Sequence, residues 1–150
     1  MNDRFKFRVW DKEVEKMFTP PRHFNYCNVN GTIVCIESFC QYDGFYQKRI
    51  IKEFNDAILM QCTGLKDKNG TLIYEGDIVR YTEYEIDEIE PEWEYTEIVW
   101  GGKYDYPAFD LSKNPFDNNG LSEIFACGWT IEVIGNIYEN KELLDEQIHS

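Results

Sequence analysis

Alternation of apolar and polar residues is the main pattern near the start of the chain. Across residues 4–10, apolar residues alternate with basic ones, which predicts a strand with one apolar face and one basic face. Residues 14–18 are predicted to return beside it as a second strand, before Pro20 and Pro21 end regular structure. The basic row of the first strand consists of Arg4, Lys6 and Arg8.

The next part of the chain gives a less regular pattern. Asn30 and Gly31 form a dipeptide typical of tight turns, so residues 26–29 and 32–36 are predicted to pair as a hairpin. Residues 41–54 show no clear period, and Gly44 argues against a long helix there. We therefore leave that stretch without an assigned structure.

Short apolar segments separated by tight turns fill the second half of the chain, which is typical of a small β-barrel. The predicted strands cover residues 58–62, 71–74, 78–81, 108–111, 123–127 and 130–137, with a loop over residues 113–120. The predicted structural turns use residues that tolerate positive φ or bond to nearby backbone groups, namely Gly64, Asn69, Gly70, Gly76 and Asp77. Asn140 is a suitable N-cap for a terminal helix through Ile148.

Composition supports a mostly β fold. Hydrophobic residues make up 43% of the chain, enough for a core, and the 16% of aromatic residues favours strands, where rings pack well. The 150 residues fit one compact domain or two small lobes. We predict an N-terminal β-rich portion at residues 1–57 and a C-terminal barrel with a short terminal helix at residues 58–150.

Negative charge is concentrated in one segment. The formal net charge is −13, and no basic residue lies between Arg80 and Lys103. We predict two strands around Pro91, forming an acidic hairpin whose like charges disfavour close pairing and leave its tip solvated. The candidate interaction surface consists of Glu83, Tyr84, Glu85, Asp87, Glu88, Glu90, Glu92, Trp93, Glu94, Tyr95 and Glu97.

Two interpretations of this acidic hairpin stay open. Negative charge repels nucleic-acid phosphates and anionic membranes, so a basic protein partner is favoured over either. Spaced carboxylates would then imitate a row of phosphates, and the interleaved rings would act as anchors. Alternatively, the charge only keeps a small protein soluble, while the rings pack inward on the barrel.

No set of residues indicates catalysis, a cofactor or a metal. The nearest zinc candidates are His23, Cys27, Cys35 and Cys40, but they lack the close pairs of a zinc site, so buried thiols are favoured. Neither histidine is a convincing general base for a nucleophile. No apolar run is long enough for a secretory leader or a membrane span, which together with unpaired cysteines favours the cytoplasm.

Three blocks of sequence resemble the YopX family. They cover residues 7–12 with 16–17, residues 59–70 continuing through 73–79, and residues 132–140, with Cys62 and Lys141 as departures from the family pattern. The resemblance implies a phage or prophage protein acting inside the host bacterium. It also implies an SH3-like barrel in the C-terminal half, a separate N-terminal β portion and self-association. It implies no activity.

The leading functional hypothesis is a non-enzymatic accessory protein that works by contact with a basic host or phage protein, through the acidic hairpin. The alternative is a nucleic-acid-associated barrel in phage replication or transcription, which small barrels often serve by analogy of fold. That alternative requires a basic face, for which the row on the first strand is the candidate.

Overall fold

The computed structural model describes residues 6–19, 24–30, 32–40, 44 and 46–145. The chain is mostly β, with a sheet that curls into a half-barrel and with short helices. It divides into two compact units, Met1–Cys62 and Thr63–Ser150. The division falls within one strand, five residues after the boundary predicted between residues 57 and 58. That each part is a separate folding domain stays a prediction.

The first unit is built from antiparallel pairs of strands. β1 pairs with β2 and with β6, and β4 pairs with both β3 and β5. A separate three-stranded sheet therefore has the order β3-β4-β5. The strands are β1 (Phe7–Asp11), β2 (Lys16–Phe18), β3 (Phe24–Val29), β4 (Thr32–Cys40), β5 (Tyr46–Phe54) and β6 (Ala57–Lys66), whose last four residues belong to the second unit.

The second unit carries a four-stranded sheet of order β10-β9-β8-β11. Its members are all antiparallel neighbours, and β11 is shifted in register between Val133 and Gly135. A single 3₁₀ turn covers Gly102–Tyr104. The strands and helices are β7 (Leu72–Tyr74), β8 (Asp77–Thr82), β9 (Glu94–Trp100), β10 (Phe109–Leu111), α1 (Gly120–Ala126), β11 (Thr130–Asn136) and α2 (Glu142–Asp145).

Each unit has its own hydrophobic core. In the first, Val9, Tyr26 and Phe54 are buried together, and the rings of Tyr26 and Phe54 meet edge-on with centroids 5.7 Å apart. In the second, aliphatic side chains from the sheet pack with Leu121 and Ile124 of α1. Both cores are thus built mainly from apolar residues of the strands.

Most predicted strands are confirmed, but the one at residues 123–127 is wrong. Residues 123–127 lie mainly in α1, not in a strand. The Asn119 side chain caps this helix by accepting the Ser122 N–H at 2.8 Å. The buried Asp110 carboxylate also accepts the N–H of Gly120 at 2.8 Å and that of Leu121 at 3.3 Å. The side chains of Asn119 and Asp110 therefore satisfy the first N–H donors of the helix. These hydrogen bonds favour a helix in a segment whose apolar residues would suit a strand as well.

The stretch at residues 41–54, which the sequence left without an assignment, contributes β5 from Tyr46 onwards. Its side chains from Gln47 to Glu53 are exposed, so β5 shows none of the burial alternation that would reveal a strand in sequence. The hairpin predicted around Asn30 is confirmed as β3 and β4.

The predicted terminal helix is confirmed in its described part, but the side chain of its predicted cap makes a different hydrogen bond. α2 covers Glu142–Asp145, and Ile148 lies outside the described residues. The Asn140 side chain points back instead, where its Oδ1 accepts the Asn136 N–H at 3.3 Å. A Cβ on Gly135 would lie 2.5 Å from that oxygen, so a glycine is required beside Asn140.

The two described residues of the basic row predicted on β1 do not form an open face. Arg8 is only 8% exposed, and its Nη2 lies 3.9 Å from the Met60 sulfur. Arg4 lies outside the described residues, and Lys6 is half-buried. Burial of the apolar stem of an arginine is common, because its methylene groups pack like an aliphatic side chain.

Three buried aspartates fix the turns and loops of the second unit. Asp67 accepts the N–H of Asn69, Thr71 and Val133, each at 2.9 Å, and so joins its turn to β11. Asp77 accepts the Tyr74 N–H at 2.7 Å across the turn before β8. Asp110 accepts the Gly120 N–H at the start of α1. Buried carboxylates are stable in such places because backbone donors replace the lost water.

Candidate functional site

A long acidic segment joins β8 to β9. We name residues 83–93 the acidic loop. Within it the described backbone has only an isolated bridge between Ile86 and Ile89, and β9 begins at Glu94. The strand predicted after Pro91 is therefore confirmed as β9, which pairs with β8, whereas the strand predicted before Pro91 is wrong. Paired strands would place several carboxylates opposite one another, which is destabilising, whereas a loop lets them separate in water.

The predicted interaction surface is divided by this arrangement. Its residues from Glu83 to Glu92 lie on the acidic loop and are exposed, and Glu94 is also exposed. Trp93, Tyr95 and Glu97 are half-buried. Burial raises the pKa of Glu97, the nearby Glu75 raises it further, and Lys141 acts in the opposite direction. The exposed carboxylates of the predicted surface therefore lie on the loop and at the start of β9.

Exposed apolar side chains accompany the carboxylates of the acidic loop. Tyr84 is 62% exposed, Ile86 53% and Ile89 63%. The two isoleucines were missed in the sequence, where the predicted surface included only acidic and aromatic residues. They could have been found in the sequence as apolar residues within a segment too acidic to form paired strands. Large apolar side chains that are exposed close together on a surface are typical of binding sites.

A small ionic cluster holds the acidic loop on the second unit. Lys68 Nζ lies 2.9 Å from Glu85 and 3.9 Å from Glu132. Arg80 donates to Glu132 at 2.6 and 2.7 Å, and its guanidinium lies over the Trp93 ring at 4.2 Å. Burial acts to lower the pKa of Arg80, but the contacts with Glu132 and Tyr95 together raise the pKa overall.

A groove of about 500 Å³ opens beside the acidic loop. Its floor is formed by Tyr81 and Trp129, which stack with centroids 6.2 Å apart, and its wall includes Tyr84, Ile86 and Ile89. Burial raises the pKa of Tyr81 to about 12, with a further contribution from Glu94, so the phenol stays neutral at ordinary pH. Trp129 was not recognised as a site residue, because it lies outside the acidic segment.

A second groove of about 700 Å³ shares three lining residues with the first, Tyr81, Glu94 and Trp129. Phe116 meets Trp129 edge-on there, with centroids 5.4 Å apart. Two exposed lysines, Lys103 and Lys113, also line it. The two grooves therefore adjoin on either side of the stacked rings, and they differ in the charge around them.

The predicted turn residues lie in the backbone framework. Gly64, Gly70 and Gly76 have φ angles of 83°, 78° and 83°, which glycine adopts without strain. Asn69 donates its backbone N–H to Asp67. The Gly76 N–H donates to the Ile98 carbonyl at 2.9 Å, which fixes the turn that contains Asp77 against β9.

Cysteines give no metal site in the described part of the chain. No group of three or more potential metal-binding side chains occurs there. Cys35 and Cys62 are buried, as predicted, whereas Cys127 is exposed. His23 lies outside the described residues, and the side chains of Cys27 and Cys40 do too. A hydrogen bond with Glu123 and a small effect of burial raise the pKa of Cys127, which keeps that thiol protonated.

These features define a mostly β protein of two compact units, with an acidic loop and a ring-lined groove on the second. The chain belongs to the YopX family, whose model, described as YopX protein, matches residues 6–145. The crystal structure of protein EF1440 from Enterococcus faecalis is similar, with 26% identity and a TM-score of 0.63, over 93% of this chain and 96% of that one.

No curated protein matches the chain. Among the described residues, no helix is both long and apolar enough to cross a membrane.

Proposed function

We propose that this protein is a non-enzymatic phage accessory protein that binds a basic host or phage protein through its acidic loop. One observation carries the proposal. Tyr84, Ile86 and Ile89 are each more than half exposed within a segment that has carboxylates but no basic residue of its own. Apolar side chains supply contact area at an interface, and the surrounding charge selects the partner.

Electrostatics favours a basic protein over nucleic acid at this surface. The acidic loop repels phosphates, and at −13 the whole chain does so at long range. The same field speeds the approach of a positively charged protein, and salt weakens this steering. The rate of association at the acidic loop should therefore fall as salt is added. The rate of dissociation should stay low, because it depends on the apolar contacts.

Three finer features belong to the same proposal. Residues 58–150 form a small SH3-like barrel, which is supported by short strands joined through tight turns. The protein self-associates and works in the bacterial cytoplasm, which is supported by membership of the YopX family.

The test is affinity capture from bacterial lysate with two matched baits. The first bait carries Ile86→Ser and Ile89→Ser. The control carries Ile50→Ser and Ile51→Ser, which remove two isoleucines of similar exposure from β5. We expect the partner to be lost from the first bait only, and to be a basic protein that the native bait captures less rapidly in high salt. Equal capture by both baits would contradict the proposal.

A nucleic-acid-associated role is the second candidate, and one observation favours it. The side chains of Lys48, Arg49 and Lys52 are all exposed on β5, so this strand offers basic groups to solvent although Arg8 is buried. Arg49 also pairs with Glu37, and Lys52 lies over the Phe18 ring, which reduces the charge available. A gel-shift assay at low salt with the native chain and with Lys48→Glu would decide, since absence of binding eliminates this candidate.

A further inference from the structure

The two grooves on the second unit form one path across the stacked rings. They share Tyr81 and Trp129 as floor and Glu94 as rim. Volumes of about 500 and 700 Å³ each accommodate several side chains. Such a path suits an extended segment that crosses the rings better than a single compact ligand.

The floor of this path is preformed. Tyr81 is only 2% exposed and belongs to the hydrophobic core, and Trp129 and Phe116 pack against that core. The rings are therefore held by packing before any partner arrives. A rigid aromatic floor lowers the entropic cost of binding, because few side chains must be ordered. Proline-rich and other extended segments are commonly recognised on such floors.

The path has opposite charge at its two ends. At one end Glu83, Glu90 and Glu92 line the first groove, which has no basic lining residue among those described. At the other end Lys103 and Lys113 line the second groove. Glu94 stands between them. A partner of uniform charge would be attracted at one end and repelled at the other, so complementarity requires a partner with both signs.

We infer that this path binds an extended segment of the protein partner that carries a basic side chain, then apolar residues, then a carboxylate. The basic side chain lies among the glutamates, the apolar residues cover Trp129 and Phe116, and the carboxylate lies between the two lysines. This inference rests on the proposed function and adds the chemistry of the partner segment to it.

The test uses the full chain and three short synthetic peptides with the same leucine–proline–leucine centre. One has arginine at one end and aspartate at the other, one has arginine at both ends, and one has aspartate at both. The readout is the indole N–H signal of Trp129 in NMR titrations, assigned with the variant Trp129→Phe. We expect the native chain to bind the mixed peptide about tenfold more tightly than either uniform one.

Charge-reversing variants sharpen the test, because both residues are exposed and should tolerate exchange. Lys113→Glu leaves Lys103 in the second groove, and it should reduce the preference for the mixed peptide over the one with two arginines. Glu94→Lys leaves three glutamates in the first groove, and it should reduce the preference for the mixed peptide over the one with two aspartates. Equal affinity for all three peptides, or a Trp129 signal that none of them moves, would overturn the inference.

Two further outcomes separate this inference from the proposed function. If Ile86→Ser and Ile89→Ser abolish capture of the partner from lysate while Glu94→Lys and Lys113→Glu leave it unchanged, the inference fails and the proposed function stands. If the Trp129 signal shifts on dilution without peptide, a second copy of the chain covers the path, and the inference is overturned in favour of self-association.

Discussion

Asp110 and the acidic loop show two opposite uses of a carboxylate within one unit. Asp110 is fully buried, and it accepts backbone N–H groups from Leu111, Gly120 and Leu121. The carboxylates of residues 83–92 are exposed, and exposed apolar side chains lie among them. A buried carboxylate is committed to the fold because its donors cannot return to water, whereas an exposed one remains available to a partner. The burial and the hydrogen bonds of a carboxylate thus indicate its role better than its charge does.

The largest effect should come from removing the charge of Asp110. Asp110→Asn weakens three backbone hydrogen bonds, two of them at the start of α1. It also puts a donor near Asn114 Nδ2, which in the native protein donates to Asp110 at 3.1 Å. We expect the free energy of unfolding to fall by about 3 kcal/mol. Urea unfolding followed by circular dichroism measures it. The control Asp87→Asn on the acidic loop should change stability by less than about 0.5 kcal/mol.

Equal losses in the two variants would show that Asp110 is no more structural than the loop carboxylates.

Crowding around Asp110 offers a second, smaller test. Gly102 has a φ of +60°, and a Cβ there would lie 2.7 Å from the Asp110 Cβ. Gly102→Ala should therefore lower the free energy of unfolding by about 2 kcal/mol, through strain and displacement of Asp110. Gly70→Ala is the matched control, since Gly70 has a φ of +78° with open space around it. It should cost only about 1 kcal/mol.

Thermal denaturation of both glycine variants makes the comparison. A loss at Gly102 no greater than that at Gly70 would mean that backbone strain alone explains the requirement for glycine.

Glu97 lies between the two extremes, because it is half-buried on β9 and its folded pKa is raised by burial and by Glu75. A raised carboxyl pKa means that the ionised form destabilises the fold at pH values above the folded pKa. This penalty disappears as pH falls through the folded pKa towards the unfolded value. Glu97→Gln should therefore stabilise the protein at pH 7, by about 0.5 kcal/mol, but not below the ordinary glutamate pKa.

Stability curves of Glu97→Gln and native protein across pH measure this difference. The exposed Glu92→Gln serves as the control. A gain for Glu97→Gln that persists at low pH would show that the effect is not due to ionisation.

The smallest effect should come from the acidic loop itself. Changing Glu88, Glu90 and Glu92 together to glutamine should raise stability by a few tenths of a kcal/mol, because it relieves repulsion between exposed charges. The gain should vanish in high salt, where such repulsion is screened. Urea unfolding at low and high salt would reveal it. A large loss of stability would show instead that these side chains stabilise the fold, as Asp110 does.

Strand periodicity was enough to predict most of the sheet, because alternation directly reports which face is buried. It failed at α1, where Asp110 supplies acceptors from a different strand and no local pattern records that contact. It also failed at β5, whose exposed side chains carry no burial signal. Local patterns record burial, not the partners that tertiary structure brings together.

The candidate site was predictable only in part, for a related reason. The acidic residues from Glu83 to Glu94 stood out as a run in the sequence, and most are exposed in the structure. The groove depends on Trp129, Phe116 and Lys113, which lie 19 or more residues after Glu94, and it is assembled by the pairing of β8 with β9 and β11. Such distant residues become neighbours only once the register of the sheet is known.

The dependence of α1 on Asp110 has a consequence for synthesis of the chain. A helix of seven residues is too short to be stable alone in water. Its acceptor precedes Gly120 by ten residues, so Asp110 leaves the ribosome before the segment that it caps. Closing such a loop takes about 10–100 ns. The nascent segment that contains Leu121 and Ile124 can therefore meet its cap as soon as it emerges, before it pairs as an extended strand with another chain.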